Sequence, residues 1–504
     1  NPKSASLFYN RALAYEDKGN VEREEADCTK AISLDPKDAD AYELRASIYG
    51  KKANGVFKGE MFDKAMADYS SAIDLRLRDV DDRKAWLLKR ADEVEDTIEG
   101  IACMEALIKL APDKAEAYAR RAQYYETNTS GPAGGEMDEK AIADYSEAIK
   151  LNPKSAEYYL DRGRDYANMG RDHEEQAIAD FTESIRLAPD KPGAYVGRAE
   201  IYTDDDPEKA LADYTEAISR EQPPESDLYR ERADCYARNK EYGKALADYE
   251  EAIKLNPGEE NARYGIARTY KAAGDMKKAE EEYAAMEKMF TDEIGGSNKG
   301  GAYESRATLY AYLGKNEKAI ADYSEEIKLE AQSENALSER GALYVKMGEK
   351  EKAMQDFNDA IRIAPDESDA YFNRAGLFTS SGDYAKALDD LKKALDLSPD
   401  WTDAVDAEAR IRAGCPKAEF RDPAKAMELA LKAGEYMKWK DASALDTLAY
   451  VEAEAGKFDD AVKHQQQALE IAKADIESDK KTLDTMAAAL ESYRKKKPYE
   501  DAHK

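Results

Sequence analysis

One pattern of apolar and polar residues recurs along most of this chain. Residues 225–257 read ESDLYRERADCYARNKEYGKALADYEEAIKLNP. Apolar side chains fall there at steps of three and four residues, which is the spacing of one face of an α-helix. A glycine or asparagine near the middle of such a unit ends a first helix, and a proline near its end closes a second helix. Each unit therefore predicts a pair of helices joined by a tight turn.

The frame Y-x-x-R-A-x-x-Y, followed by A-x-x-D-Y-x-x-A-I, returns at intervals of about 34 residues. Small residues of the two helices, such as Ala233 and Ala245, are expected to face each other beneath the second-helix tyrosine. Most of the 33 tyrosines are therefore interpreted as core residues. The first half of the frame occurs at 42–49, 118–125, 159–166, 195–202, 303–310, 337–344 and 371–378.

This frame resembles the tetratricopeptide repeat, and the resemblance covers residues 5 to about 400 as about eleven units. The resemblance implies an all-α fold, a right-handed superhelical α-solenoid of stacked antiparallel helix pairs with a groove lined by the first helices. It also implies the family's usual activity, which is the binding of peptides or partner proteins. The end of the chain, 493–499, resembles the ends of many bacterial members, which favours a bacterial source.

The repeats are predicted to fill residues 1–400, and residues 401–504 are predicted to form a divergent terminal repeat and capping helices. Inserts interrupt the frame near 50–60 and 126–137, where we expect longer helices and a projecting loop. Such a loop is either a contact loop or tolerated surface variation. The repeat is degenerate at 79–112 and 262–290, and the glycine-rich stretch 291–301 is a candidate hinge.

An arginine of the first helix accompanies an aspartate before the second-helix aromatic residue in nine units. In the degenerate unit at 262–290, Ile266 replaces the arginine and Glu282 replaces the aspartate. Because the two residues change together, we expect them to form ion pairs between the helices. The predicted pairs include Arg45–Asp68, Arg121–Asp144, Arg198–Asp213, Arg232–Asp248, Arg306–Asp322 and Arg374–Asp390.

The family resemblance places the residue two positions after each repeat arginine at the groove. At these positions the sequence has no asparagine, which the family's clamp for a C-terminal carboxylate needs, so that binding mode is not expected. By family analogy the candidate groove residues are Gln123, Arg164, Glu200, Asp234 and Arg238.

Composition narrows the function further. The net charge of −30 repels phosphate backbones, so nucleic acid is not an expected partner, and no apolar run is long enough for a membrane span. The three histidines are not spaced as metal ligands, and neither a phosphate-binding loop nor a nucleophile–base set is present. We therefore expect no catalytic residue, no cofactor and no metal. The acidic run 204–206 before Pro207 is interpreted as a helix cap.

The leading interpretation is a non-enzymatic scaffold that binds partner segments in the groove. The alternative is a structural protein that self-assembles head-to-tail into a filament or oligomer. It is motivated by residues 1–5, which repeat the junction at 152–156, so that the first repeat lacks a cap. Residue 1 is Asn and not Met, which leaves the compartment open: cytoplasmic, or exported after removal of a leader. The four cysteines imply no disulfide.

Overall fold

The computed structural model describes residues 4–53, 59–77, 82–94, 96–127, 134–221, 223–330, 332–399, 401–474 and 480–499. These residues form 27 α-helices and no β-strand, which confirms the all-α fold class. None of the described helices is long and apolar enough to cross a membrane. The chain divides into two compact units, Asn1–Pro224 and Glu225–Lys504.

The helices of the first unit are α1 (Ala5–Glu16), α2 (Val21–Leu34), α3 (Ala39–Ala53), α4 (Glu60–Arg76), α5 (Arg83–Glu93), α6 (Thr97–Leu110), α7 (Ala115–Glu126), α8 (Gly134–Leu151), α9 (Ala156–Asn168), α10 (Glu174–Leu187), α11 (Gly193–Asp205) and α12 (Pro207–Arg220). Each odd-numbered helix packs against the even-numbered helix that follows it. The first unit is therefore a stack of helix pairs.

The helices of the second unit are α13 (Ser226–Arg238), α14 (Tyr242–Leu255), α15 (Glu260–Ala272), α16 (Met276–Glu293), α17 (Lys299–Tyr312), α18 (Asn316–Leu329), α19 (Glu334–Lys346), α20 (Lys350–Ile363), α21 (Ser368–Ser380), α22 (Tyr384–Leu397), α23 (Thr402–Gly414), α24 (Pro423–Tyr436), α25 (Ala442–Glu454), α26 (Phe458–Ala474) and α27 (Lys480–Arg494). The same pairing continues to α26, and α27 packs on α26.

Local sequence explains where the helices begin and end. Gly314 takes a φ of 68° after α17, a conformation that glycine adopts without steric cost. The next amide, of Lys315, donates a 2.8 Å hydrogen bond back to the Tyr310 carbonyl. At the start of α12 the Asp206 carboxylate accepts from the Lys209 amide at 3.2 Å, and Pro207 is the first helical residue. The acidic run therefore acts as the helix cap that the sequence predicts.

Small residues let the paired helices approach closely. Ala233 of α13 and Ala245 of α14 are both fully buried, in one cluster with Tyr249. In another pair the second-helix aromatic is Phe181, whose ring lies against Gly163 and Gly197; a Cβ built on Gly197 would be 2.6 Å from it. The buried ring therefore joins its own first helix to the first helix of the following pair.

The irregular stretches of sequence correspond to irregular helices. The helices that flank the two inserts, α3, α4 and α8, have 15, 17 and 18 residues, against 14 for a regular second helix such as α14. The insert residues 54–58 and 128–133 lie outside the described residues. In the degenerate unit α5 has only 11 residues, and α6 also packs against α4.

The candidate hinge at 291–301 does not separate the compact units. Helix α16 continues to Glu293 and α17 begins at Lys299, so the glycines occupy a short connection inside the second unit. The division lies between Pro224 and Glu225. A run of glycines indicates only that the backbone is locally free to turn. A boundary between compact units lies where few contacts cross from one side to the other.

Candidate binding face of the first helices

Ion pairs between the two helices of a pair hold nine of the first helices against their second helices. In nine pairs the guanidinium donates two parallel hydrogen bonds of 2.6–2.9 Å to one aspartate carboxylate. Such bidentate bonds are strong and directional. The pairs are Arg11–Asp27, Arg45–Asp68, Arg121–Asp144, Arg162–Asp180, Arg198–Asp213, Arg232–Asp248, Arg306–Asp322, Arg340–Asp356 and Arg374–Asp390.

The same arginines reach a third helix, which the sequence interpretation missed. In six of them Nη1 donates to a polar side chain on the second helix of the preceding pair, at 2.7–3.2 Å. The acceptors are Thr29, Ser146, Thr182, Thr291, Ser324 and Asn358. All except Thr291 directly follow the core residue after the repeat aspartate, so the signal was present in the sequence. These arginines hold the stack together and are not free to bind a partner.

The candidate groove residues of the first unit lie on three successive first helices. Gln123 on α7, Arg164 on α9 and Glu200 on α11 are exposed. The Arg164 guanidinium is 3.4 Å from the Asp161 carboxylate, a weak contact on the same helix. These three polar side chains lie along the face of that unit.

The two candidates of the second unit differ from each other. Arg238 on α13 is exposed, whereas Asp234 on the same helix is half-buried. The Tyr249 hydroxyl donates a hydrogen bond to Asp234, and Arg230 lies 3.5 Å from it. Burial and this carboxylate raise the pKa of Tyr249. Asp234 is therefore part of the packing of its own helix pair, and the five candidates do not form one cluster.

A polar cavity of about 400 Å³ opens between α3, α4 and α5 of the first unit. Its two arginines are already paired with three of its five acids. Arg76 binds Asp40 at 2.7 Å, and Arg90 binds Glu43 at 2.8 Å and Glu99 at 2.7 Å. Burial raises the pKa of Glu99 in spite of the nearby Arg90. A ligand there would have to replace existing ion pairs, which makes this cavity a poor site for a charged group.

The second unit carries two adjoining cavities on its first helices. One, of about 450 Å³, lies between α19, α21 and α23 and is lined mainly by apolar side chains, with Ala342 and Gly376 at the groove positions. The other, of about 460 Å³, is lined by acidic and polar side chains of α17, α19 and α21. Sequence reasoning missed both, because a small residue at a groove position carries no recognisable chemistry.

The described residues contain no group of three or more His, Cys, Asp or Glu side chains arranged to hold a metal ion. His173 stacks on Tyr166, and His464 bonds the Glu452 carboxylate at 2.8 Å. His503 lies outside the described residues. All four cysteines are buried, and none forms a disulfide bond within the described residues.

Family comparisons agree with the repeating helix pairs. Profiles described as tetratricopeptide repeat match residues 5–38, 197–260, 236–294, 335–367 and 368–400. A profile described as TPR repeat matches residues 137–170. A profile described as anaphase-promoting complex subunit 5 matches residues 301–338, which include α17 and α18.

Among curated proteins, Hsp70-Hsp90 organizing protein 1 of Glycine max is 25% identical over 174 residues, which are 33% of this chain and 27% of the relative. The chain thus matches about a quarter of that relative's length.

Three solved structures illustrate the likeness of fold. The APC/C hetero-tetramer Cut9-Hcn1 is 13% identical, covering 96% of each chain, with a TM-score of 0.36. The human IFIT1 dimer with m7Gppp-AAAA is 16% identical, covering 86% of this chain and 90% of that chain, also with a TM-score of 0.36. MamA is 24% identical, covering 29% of this chain and 85% of that chain, with a TM-score of 0.28.

Proposed function

Since this chain is a tetratricopeptide-repeat protein, we propose that it is a non-enzymatic scaffold that binds segments of partner proteins on the first-helix faces of its two units. One observation carries the proposal. The repeat arginines are bonded to the second helices, while the opposite side of the first helices keeps exposed polar side chains and, in the second unit, open cavities. A face whose helices are already held in place binds a segment without first reorganising.

The curated relative supports partner proteins over small-molecule substrates. The curated relative is, by its name, an organiser of two other proteins. The net charge of −30 argues against nucleic acid as the partner. A bacterial source, favoured by residues 493–499, stays a prediction.

Photo-crosslinking tests the proposal. Benzoylphenylalanine replaces Gln123 in one variant and the exposed Val345 in another, both on first helices. Control variants carry it at Glu250 on α14 and Asp389 on α22, both exposed on second helices. After irradiation in extract of the source organism, we expect discrete protein adducts at the first-helix positions and few at the controls. Equal labelling at all four positions, or no adduct at any, would overturn the proposal.

Head-to-tail self-assembly stays a prediction from the sequence. Sedimentation velocity over a hundredfold range of protein concentration checks it. A filament-forming chain shows sedimentation coefficients that rise with concentration, whereas a constant coefficient for the monomer rules spontaneous assembly out.

A further inference from the structure

The apolar cavity of the second unit has room for a side chain that the protein does not supply. Its volume of about 450 Å³ is within the usual range of ligand pockets. Ala342 and Gly376 leave its floor open, and a Cβ built on Gly376 would meet no atom within 4 Å. Val345 at the same cavity keeps 37% of its surface exposed. An aliphatic or aromatic side chain of a partner would gain by burial here.

The neighbouring cavity is acidic. Glu304, Glu339 and Asp369 come from three successive first helices, α17, α19 and α21, and all three line it. Within the described part of the chain, none of these carboxylates has an ion pair or a side-chain hydrogen bond. In the cavity of the first unit, by contrast, two arginines form ion pairs with three of the lining acids.

Two further observations concern what the acidic cavity can bind. Ser338 is only 8% exposed, yet its hydroxyl has no hydrogen-bond partner among the described residues and lines this cavity. Glu339 is exposed to solvent in part, and the walls of the cavity remove some of the water around its carboxylate. This desolvation, together with Asp369, raises the pKa of Glu339, and Lys346 opposes the shift. Three carboxylates against one lysine leave the site negative.

The two cavities share a wall, because Phe372 and Asn373 line both of them. Phe372 also packs against Trp401, with ring centroids 4.6 Å apart, so an aromatic surface adjoins the carboxylates. Carboxylates beside aromatic rings suit a lysine or arginine side chain. The shared wall requires the apolar and cationic groups of a ligand to be close together.

We propose that this face binds a partner segment in which an aliphatic or aromatic side chain lies within a few residues of a lysine or arginine. The apolar side chain fills the cavity over Gly376, and the cation lies among Glu304, Glu339 and Asp369. The proposal rests on the scaffold function above and names the class of segment that the second unit takes.

Defined peptides test the proposal by fluorescence anisotropy with the full chain. Each peptide is a labelled, blocked Gly/Ser nonamer that carries one arginine and one leucine at separations of one to four positions. Matched sets replace arginine by glutamate, or leucine by serine. We expect the arginine–leucine set to bind at least about tenfold more tightly than either matched set, and raised salt to weaken it.

Two variants locate the site, each with a matched control in the second unit. Gly376→Leu fills the apolar cavity, and Gly243→Leu adds the same side chain at an open position on α14. The double variant Glu339→Gln, Asp369→Asn removes charge, and Glu250→Gln, Asp389→Asn removes the same charge from second helices. Each test variant should weaken the arginine–leucine peptides about tenfold, and each control should leave binding unchanged.

The outcomes separate this inference from the scaffold proposal. Preference for the glutamate–leucine set, or binding that Gly376→Leu and the charge variant both leave unchanged, overturns the inference. So does the absence of binding by every set. If crosslinks still form at Gln123 and Val345 in any of these cases, the scaffold proposal stands without the inference. Thermal melts of each variant show whether it is folded.

Discussion

Arg340 donates a 3.0 Å hydrogen bond from Nη1 to the hydroxyl of Ser324, which lies on the second helix of the preceding pair. The other edge of the same guanidinium binds Asp356 at 2.7 and 2.8 Å. One side chain therefore joins three helices. Since the side chain of Arg340 is 17% exposed and that of Asp356 5%, the contact is partly shielded from water. It fixes how neighbouring pairs stack and leaves the opposite face of the first helix open.

Removing this acceptor should loosen the stack without changing the fold. We expect Ser324→Ala to lower the free energy of unfolding by about 1 kcal/mol, since a hydrogen bond to a charged donor is lost. Urea unfolding followed by circular dichroism measures the change. Ser380→Ala is the control, because the Ser380 hydroxyl bonds only the Leu377 carbonyl of its own helix. Equal effects of the two variants would show that the bond between pairs contributes nothing specific.

Replacing two first-helix glycines by alanine should change the stability of the protein in opposite directions. At Gly197 the new Cβ would lie 2.6 Å from the Phe181 ring, which is 1% exposed and has no room to move. Overpacking should outweigh the gain in helix propensity, so we expect Gly197→Ala to destabilise by about 1–2 kcal/mol. At Gly376 nothing lies within 4 Å, and Gly376→Ala should stabilise by up to about 1 kcal/mol.

Urea unfolding followed by circular dichroism also measures the effect of these two substitutions. A loss of stability in both variants would mean that the space over Gly376 is closed in solution. Gly243→Ala on α14, another open position, reports the gain from helix propensity alone.

The ion pairs could be predicted from the sequence because arginine and aspartate recur at fixed offsets in each unit, so the chain supplies its own alignment. The hydrogen bond from Arg340 to Ser324 follows the same offsets, but predicting it requires knowing which helix of the preceding pair lies next to Arg340. Asp234 occupies a groove position in the repeat frame, and only coordinates reveal that the Tyr249 hydroxyl uses its carboxylate.

The cavities of the second unit could not be predicted for a different reason. A cavity depends on what several helices leave unfilled, and Ala342 and Gly376 are ordinary small residues in the sequence. The boundary between Pro224 and Glu225 is also a property of contacts summed over many residues. The glycines at 291–301 left a hinge and a loop open, because glycine marks turns whether or not a boundary is present.

Asp165 on α9 is a buried carboxyl group that has no ion pair among the described residues. It is 2% exposed, and its Oδ2 has no hydrogen-bond partner among the described residues. Burial is the main cause that raises its pKa to about 8, and the neighbouring Glu126, Asp138 and Asp161 raise it further. An unfolded aspartate has a pKa of about 3.9. At any pH between these two pKa values, Asp165 therefore keeps a proton in the folded state that it has released in the unfolded chain.

The sign of the pH dependence follows from linkage. The stabilising proton is fully bound below the unfolded pKa, and its contribution is lost as the pH rises from about 4 to about 8. Asp165→Asn removes this penalty, so its melting temperature should exceed that of the wild type by a margin that grows from pH 5.5 to pH 8 and then levels off. Thermal melts across this range measure the margin, and hydrogen exchange of α9 shows whether the change is local. If the difference in melting temperature did not change with pH, Asp165 would be ionised in the folded state over the whole range. Its carboxylate would then have a counter-charge or water contact that burial alone does not indicate.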